Sequence, residues 1–123
     1  IILTNRARVQ NGLSKLEYSP ILENAARLKA EDIFRKQYFA HESPSGRDLR
    51  DWLKQVGYEF KTAGENLSHD FYSEEVVIKN WLVSPRHSEN ILDPDYREIG
   101  VASLVGRLFG TDTVIVVQMF AKP

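Results

Sequence analysis

The C-terminal end of the chain constrains the fold more than any other part. Ile99-Gly-Val-Ala-Ser-Leu-Val105 and Thr113-Val-Ile-Val-Val-Gln-Met-Phe120 are rich in β-branched residues. Such residues are stiff at χ1 and pack well on a pleated surface. The segment from Gly106 to Gly110 lies between them. Two such runs around a glycine-bearing loop predict an antiparallel hairpin. The chain before them has helical periodicity instead, apart from a short strand expected at 62–68. Helices first and strands last, with no alternation of strand and helix, predicts an α+β fold. A small antiparallel sheet would be covered by helices.

The helices have legible boundaries. Residues 2–11 predict a helix stopped by Asn11-Gly12. Ser19-Pro20 supplies an N-cap and a first-turn proline for a helix running to about Gln37. Leu22, Ala25, Ala26 and Ile33 form its apolar stripe. Lys29 falls within that stripe, so its stem snorkels out or its ammonium meets a polar partner. Ser43-Pro44-Ser45-Gly46 marks a turn. Leu49, Trp52, Leu53 and Val56 then follow helical spacing up to Gly57. Ser73 is expected to cap a fourth helix with Glu74 and Glu75 in its first turn, where the macrodipole favours acids. Val76, Val77 and Trp81 would be its inner face. Ser84-Pro85 repeats the cap-and-proline signal and opens a short helix carrying His87.

A length of 123 residues fits one domain, 1–123. A chain of this size buries roughly two thirds of its unfolded surface, so no covalent staple is needed. Cysteine is absent, which excludes thiol catalysis, disulfides and zinc–thiolate centres. The net charge of −1 gives no basic surface to hold a phosphate backbone or an anionic membrane. No apolar run reaches transmembrane length, and no heptad pattern suggests more than a monomer. The chain begins at Ile1 and not at Met, so it is expected to be a processed or excised piece. Any signal peptide or linker would lie outside it.

Little else in the chain is chemical except His41, Glu65 and His87. They sit in Tyr38-Phe39-Ala40-His41, in Gly64-Glu65-Asn66-Leu67, and in the stretch from Trp81 through Ser84, Pro85, His87 and Asn90 to Leu92. Two imidazoles and a carboxylate admit three readings. The first is a site for zinc or another divalent cation, with His41, His87 and Glu65 as ligands and a position left for water. It lacks the short-range spacing of metal motifs that set two ligands on one helical face. The second is acid/base hydrolysis. Ser84, His87 and Glu65 are the ingredients of a Ser-His-acid triad, yet Ser84 precedes Pro85 and is better explained as an N-cap turned toward backbone N–H groups. The third is structural, with both histidines satisfying a buried Glu65. Asn90 is read as an amide tying a loop to the short helix, and His69 beside Asp70 as a solvated turn residue. Tyr38, Phe39, Phe71 and Tyr72 lie close in sequence to these residues and are read as packed rings, or as the lining of a groove for a lipid, glycan or peptide.

Taken in order, these motifs resemble the CAP superfamily of cysteine-rich secretory proteins, antigen 5 and pathogenesis-related 1 proteins, and its cysteine-free bacterial branch in particular. The resemblance runs from Asn5-Arg6 through Gly12-Leu13, Ala25-Ala26, Tyr38 to Pro44, Gly57-Tyr58 and Ala63 to Leu67. It continues through Trp81 to Leu92 and ends at Glu98-Ile99-Gly100-Val101. It implies an α-β-α sandwich with a cleft at one face. In family members with the full tetrad, two histidines and two glutamates line that cleft. His41, Glu65 and His87 match three of those positions. The second glutamate is replaced by Ser84, as in the bacterial Trp-x-x-Ser-Pro-x-His pattern, which weakens any mechanism that needs two carboxylates.

The expectation is a secreted or envelope-associated binding module. Its cleft of His41, Glu65, Ser84 and His87 would hold a weakly bound divalent metal or a lipid, glycan or other envelope component. The alternatives are a metal-assisted hydrolase with Glu65 as general base, and an interaction domain with nothing in the cleft.

Overall fold

A computed structural model of the chain describes residues 1–70 and 73–123. The elements in order are α1 (Ile2–Gln10), β1 (Glu17–Tyr18), α2 (Pro20–Lys36), α3 (Leu49–Gln55), β2 (Thr62–Ser68), α4 (Glu74–Val83), α5 (Pro85–Ile91), β3 (Glu98–Leu108) and β4 (Thr111–Lys122). The sheet order is β1-β3-β4-β2. β4 pairs antiparallel with β3 on one side and with β2 on the other. The fold is α+β, an α-β-α sandwich as expected. One strand was not legible: Glu17 and Tyr18 pair in parallel with Glu98 and Ile99 and extend the sheet by a single short rung.

β4 is the spine of the sheet. Its residues 115–121 are buried without a break. Side chains alternate across a strand, so such a run requires cover on both faces. Ile115, Val117, Met119 and Ala121 point into a core with Leu22, Ala25, Ala26, Ala30 and Ile33 of α2 and Trp52 and Leu53 of α3. Val116 and Phe120 join the opposite core with Ala7 of α1, Val77 and Trp81 of α4, and Ile91 of α5.

The predicted caps hold where local chemistry decides them. Ser19 Oγ accepts from Leu22 N at 3.2 Å, and Ser73 Oγ accepts from Val76 N at 3.2 Å. The inner face of α4 needs one correction. Val77 and Trp81 are buried, but Val76 is 40% exposed. The buried pair is four residues apart, and a residue one position before Val77 is rotated about 100° away from that line. The hairpin is also tighter than expected. Its strands run on through Arg107 and Leu108, paired with Asp112 and Thr111. The turn is only Phe109-Gly110, with φ of 53° and 82°. Two positive φ values in a two-residue loop are the geometry that matches the twist of a hairpin.

Gly100 fixes how closely α2 lies on the sheet. A Cβ there would overlap the backbone of Leu22 and Glu23, and backbone cannot move aside as a side-chain tip can. Gly100→Ala should therefore lift the start of α2 from β3 and cost about 1–3 kcal/mol, the usual range for overpacking a tight interior. Urea unfolding should show a lower midpoint. An unchanged midpoint would show that α2 can shift on the sheet without cost.

Candidate functional site

β2 is an edge strand, and both helical layers close over its open side. Its alternation sends Glu65 and Leu67 toward the α2–α3 layer and Asn66 toward the opposite one. Glu65 is buried, with a side chain only 2% exposed. His41 reaches it from the segment after α2, and His41 Nδ1 lies 2.8 Å from Glu65 Oε1. A carboxylate only accepts, so the ring donates through Nδ1 and leaves Nε2 as its open nitrogen. The imidazole itself is 65% exposed. Glu65 Oε2 is buried and has no hydrogen-bond partner among the described residues.

His87 enters from the other layer on α5. Its Nδ1 lies 2.8 Å from Ser84 Oγ, and its ring stacks on Trp81 with centroids 6.0 Å apart and planes 17° from parallel. The expectation that Ser84 turns its hydroxyl toward backbone N–H groups is therefore corrected. Ser84 occupies the N-cap position of α5, but its side chain makes no capping bond. Pro85 already removes one N–H from that first turn, and the hydroxyl is spent on His87. The triad arrangement is not formed either: Glu65 orients His41, and Ser84 contacts His87. Burial lowers the pKa of His87, and the nearby His41 lowers it further.

The structure thus brings His41, Glu65, Ser84 and His87 to the β2 edge of the sheet, as two ring–partner pairs. Among the described residues, no three histidine, aspartate or glutamate side chains group closely enough to hold a metal ion. Glu65 stands behind His41 and is engaged with its ring. The carboxylate is therefore engaged with a ring, while each imidazole has its Nδ1 in contact with a side-chain oxygen, His41 with Glu65 and His87 with Ser84.

Amides brace this edge. Asn90 Nδ2 donates to Glu65 O at 3.0 Å and to Asn66 Oδ1 at 2.9 Å. Asn66 Nδ2 donates to His87 O and to Gln118 Oε1, both at 3.2 Å. Trp81 Nε1 donates to Leu67 O at 3.2 Å. Asn90 is structural, as read, but it ties α5 to β2 itself. Trp81 does more than fill core, since its indole N–H also holds the strand. Lys29 meets polar partners and does not snorkel: it is wholly buried, with Nζ donating to Tyr38 Oη, Ala40 O and His41 O. Burial pushes its pKa down, opposed by Glu65, Asp32 and Asp48.

Of the four rings singled out in the sequence, two fall among the described residues. Tyr38 is buried in the core, and its hydroxyl donates to Asp32 Oδ2 at 2.7 Å. Phe39 is half-buried, and His69 packs edge-on against it at 4.5 Å while its Nδ1 lies 2.7 Å from Asp70 Oδ2. His69 is thus partly packed as well as solvated. Phe71 and Tyr72 lie outside the described residues.

The model of the CAP, cysteine-rich secretory protein family, matches residues 1–120. The chain belongs to the CAP family. Among curated relatives, it is 40% identical over 99 residues to Uncharacterized protein YkwD of Bacillus subtilis, covering 80% of this chain and 38% of that protein. It is 34% identical over 113 residues to Uncharacterized membrane protein YlbC of the same organism, covering 92% of this chain and 32% of that protein. The chain thus spans under two fifths of either relative. Among solved structures, an extracellular protein containing an SCP domain from Bacillus anthracis superposes with a TM-score of 0.85 at 26% identity, covering 98% of this chain and 38% of that one. An outer surface protein from Borrelia burgdorferi also gives a TM-score of 0.85, at 23% identity, over 98% of this chain and 87% of that one, and speaks to the fold alone. No described helix is long and apolar enough to cross a membrane.

The lowered pKa of His87 has a definite sign in stability. In the unfolded chain His87 takes up a proton at the ordinary histidine pKa of about 6.5, and in the folded protein it does so only at lower pH. The unfolded state then binds more protons, so the contribution is intact above about pH 6.5 and is lost as pH falls through the folded-state value. Denaturant midpoints measured between pH 8 and pH 5 should fall for the wild type more steeply than for His87→Ala. Equal slopes would show that His87 is not shielded.

Proposed function

We propose that this CAP domain is a binding module whose cleft takes a divalent cation through Nε2 of His41 and of His87. The observation that carries the reading is the state of the two rings. Each has its Nδ1 engaged, His41 by Glu65 and His87 by Ser84, each at 2.8 Å. Histidines that bind metals generally have their second nitrogen held in this way by a carboxylate or another acceptor, which fixes ring orientation and raises basicity. Bound there, a cation such as zinc would act as a Lewis acid and leave coordination positions for an oxygen-bearing ligand. A lipid headgroup or glycan of the cell envelope is such a ligand. The extracellular character of the Bacillus anthracis structural relative supports placing the domain outside the cell.

The geometry gives less support to a hydrolase with Glu65 as general base. Such a base needs an oxygen facing the reacting water. Glu65 has one oxygen on His41 and a side chain that is 2% exposed.

A calorimetric zinc titration of the metal-stripped protein tests the proposal. One saturable site is expected in the wild type, and none in a His41→Ala/His87→Ala double variant. Equal binding by both proteins overturns the site. Glu65→Gln should keep the fold and weaken binding about ten- to a hundredfold, the usual cost of losing an orienting partner. Affinity should also fall with acidification, because both ligands bind only as neutral rings. The share due to His87 should appear below its ordinary titration range.

A further inference from the structure

Lys29 sits at the middle of the buried face of α2 with no exposed surface. An ammonium placed there is costly unless its donors are met. Its three donors are met by Tyr38 Oη at 3.2 Å, Ala40 O at 2.9 Å and His41 O at 2.8 Å. All three acceptors lie in residues 38–41, a stretch that is neither helix nor strand. The bonds to Lys29 do for this segment what a sheet ladder does for β2. Its start is fixed separately, because Tyr38 is anchored to buried Asp32, which also pairs with Arg35 at 2.8 Å.

Among the described residues, little else holds His41. Its side chain is 65% exposed, so packing does not set its position. Among the described residues, two polar restraints bear on it: the Nδ1 contact with Glu65 and the hold of Lys29 on the carbonyls of residues 40 and 41. An apolar residue at position 29 would fill the core equally well, but it would leave both carbonyls without that donor.

We infer that Lys29 is a positioning residue for His41. By gathering the carbonyls of Ala40 and His41 onto its ammonium, it sets the imidazole within reach of Glu65 and leaves Nε2 as the open nitrogen. The effect on metal affinity rests on the binding-module reading above. The effect on the ring can be read without metal.

The test uses nitrogen-15 NMR of the metal-free full chain at pH 8, with cobalt(II) titrations alongside. In the wild type, the Lys29 ammonium should give protected signals that couple to the carbonyl carbons of Ala40 and His41. Absence of these signals overturns the inference, whatever the variants do. His41 should be protonated on Nδ1. In Lys29→Met, and more mildly in Lys29→Gln, which keeps an N–H donor, the ring should drift toward the Nε2-protonated form preferred by free histidine. Cobalt should then bind about ten- to a hundredfold more weakly. A folded Lys29 variant with wild-type tautomer and wild-type cobalt affinity overturns the inference and leaves the metal reading standing. A tautomer shift in a protein whose wild type binds no cobalt supports the inference and sinks the metal reading.

Discussion

Burial of β4 on both faces is the constraint from which the rest of the architecture follows. Seven successive residues, 115–121, have no solvent-facing side. At roughly 25 cal/mol for each Å² of apolar surface removed from water, such a strand is stable only between two apolar layers. One layer is α2 with α3, and the other is α1, α4 and α5. The close approach of α2 at Gly100 and the stacking of Tyr96 on Phe120 at 5.6 Å show how tightly each layer is set.

Two layers on one sheet must come to an end at its edges. At β2 they end together, and that is where the chemistry collects. His41 arrives from the end of α2, His87 arrives on α5, and Glu65 lies on the strand between them. Neither layer alone carries both imidazoles. The site is therefore as rigid as the docking of the layers, and the amides of Asn66, Asn90 and Gln118 couple that docking to the position of His87. Gln118 reaches on to Thr4 Oγ1 at 2.8 Å, so α1 belongs to the same network.

Much of this was legible in the sequence, and the reasons differ by element. Ser19-Pro20 and Ser73 signalled true helix starts because capping is a local interaction that needs no knowledge of the fold. The β-branched runs signalled the hairpin for the same reason. The partners of the histidines were not legible. Glu65 and His41 are 24 residues apart, and nothing local says that the carboxylate takes this ring and not His87. Ser84 misled because serine before proline ordinarily caps a helix, whereas here the ring of His87, one turn on, competes for the hydroxyl and wins. Lys29 was seen as an anomaly in an apolar stripe, but its acceptors include two backbone carbonyls, which carry no signature in side-chain identity. β1 was missed because two residues are too few to show a period.

The bonds from Asn90 to Glu65 O and from Trp81 to Leu67 O have a consequence for life in a crowded solution. An edge strand with open carbonyls invites another chain to add itself, and natural proteins blunt such edges. On β2 the two acceptors are already occupied by an amide and an indole from neighbouring helices. The residues that shape the cleft therefore also keep the strand from serving as a template. Two of the backbone acceptors through which a further strand would pair with β2 are thus already taken by side chains of the same chain.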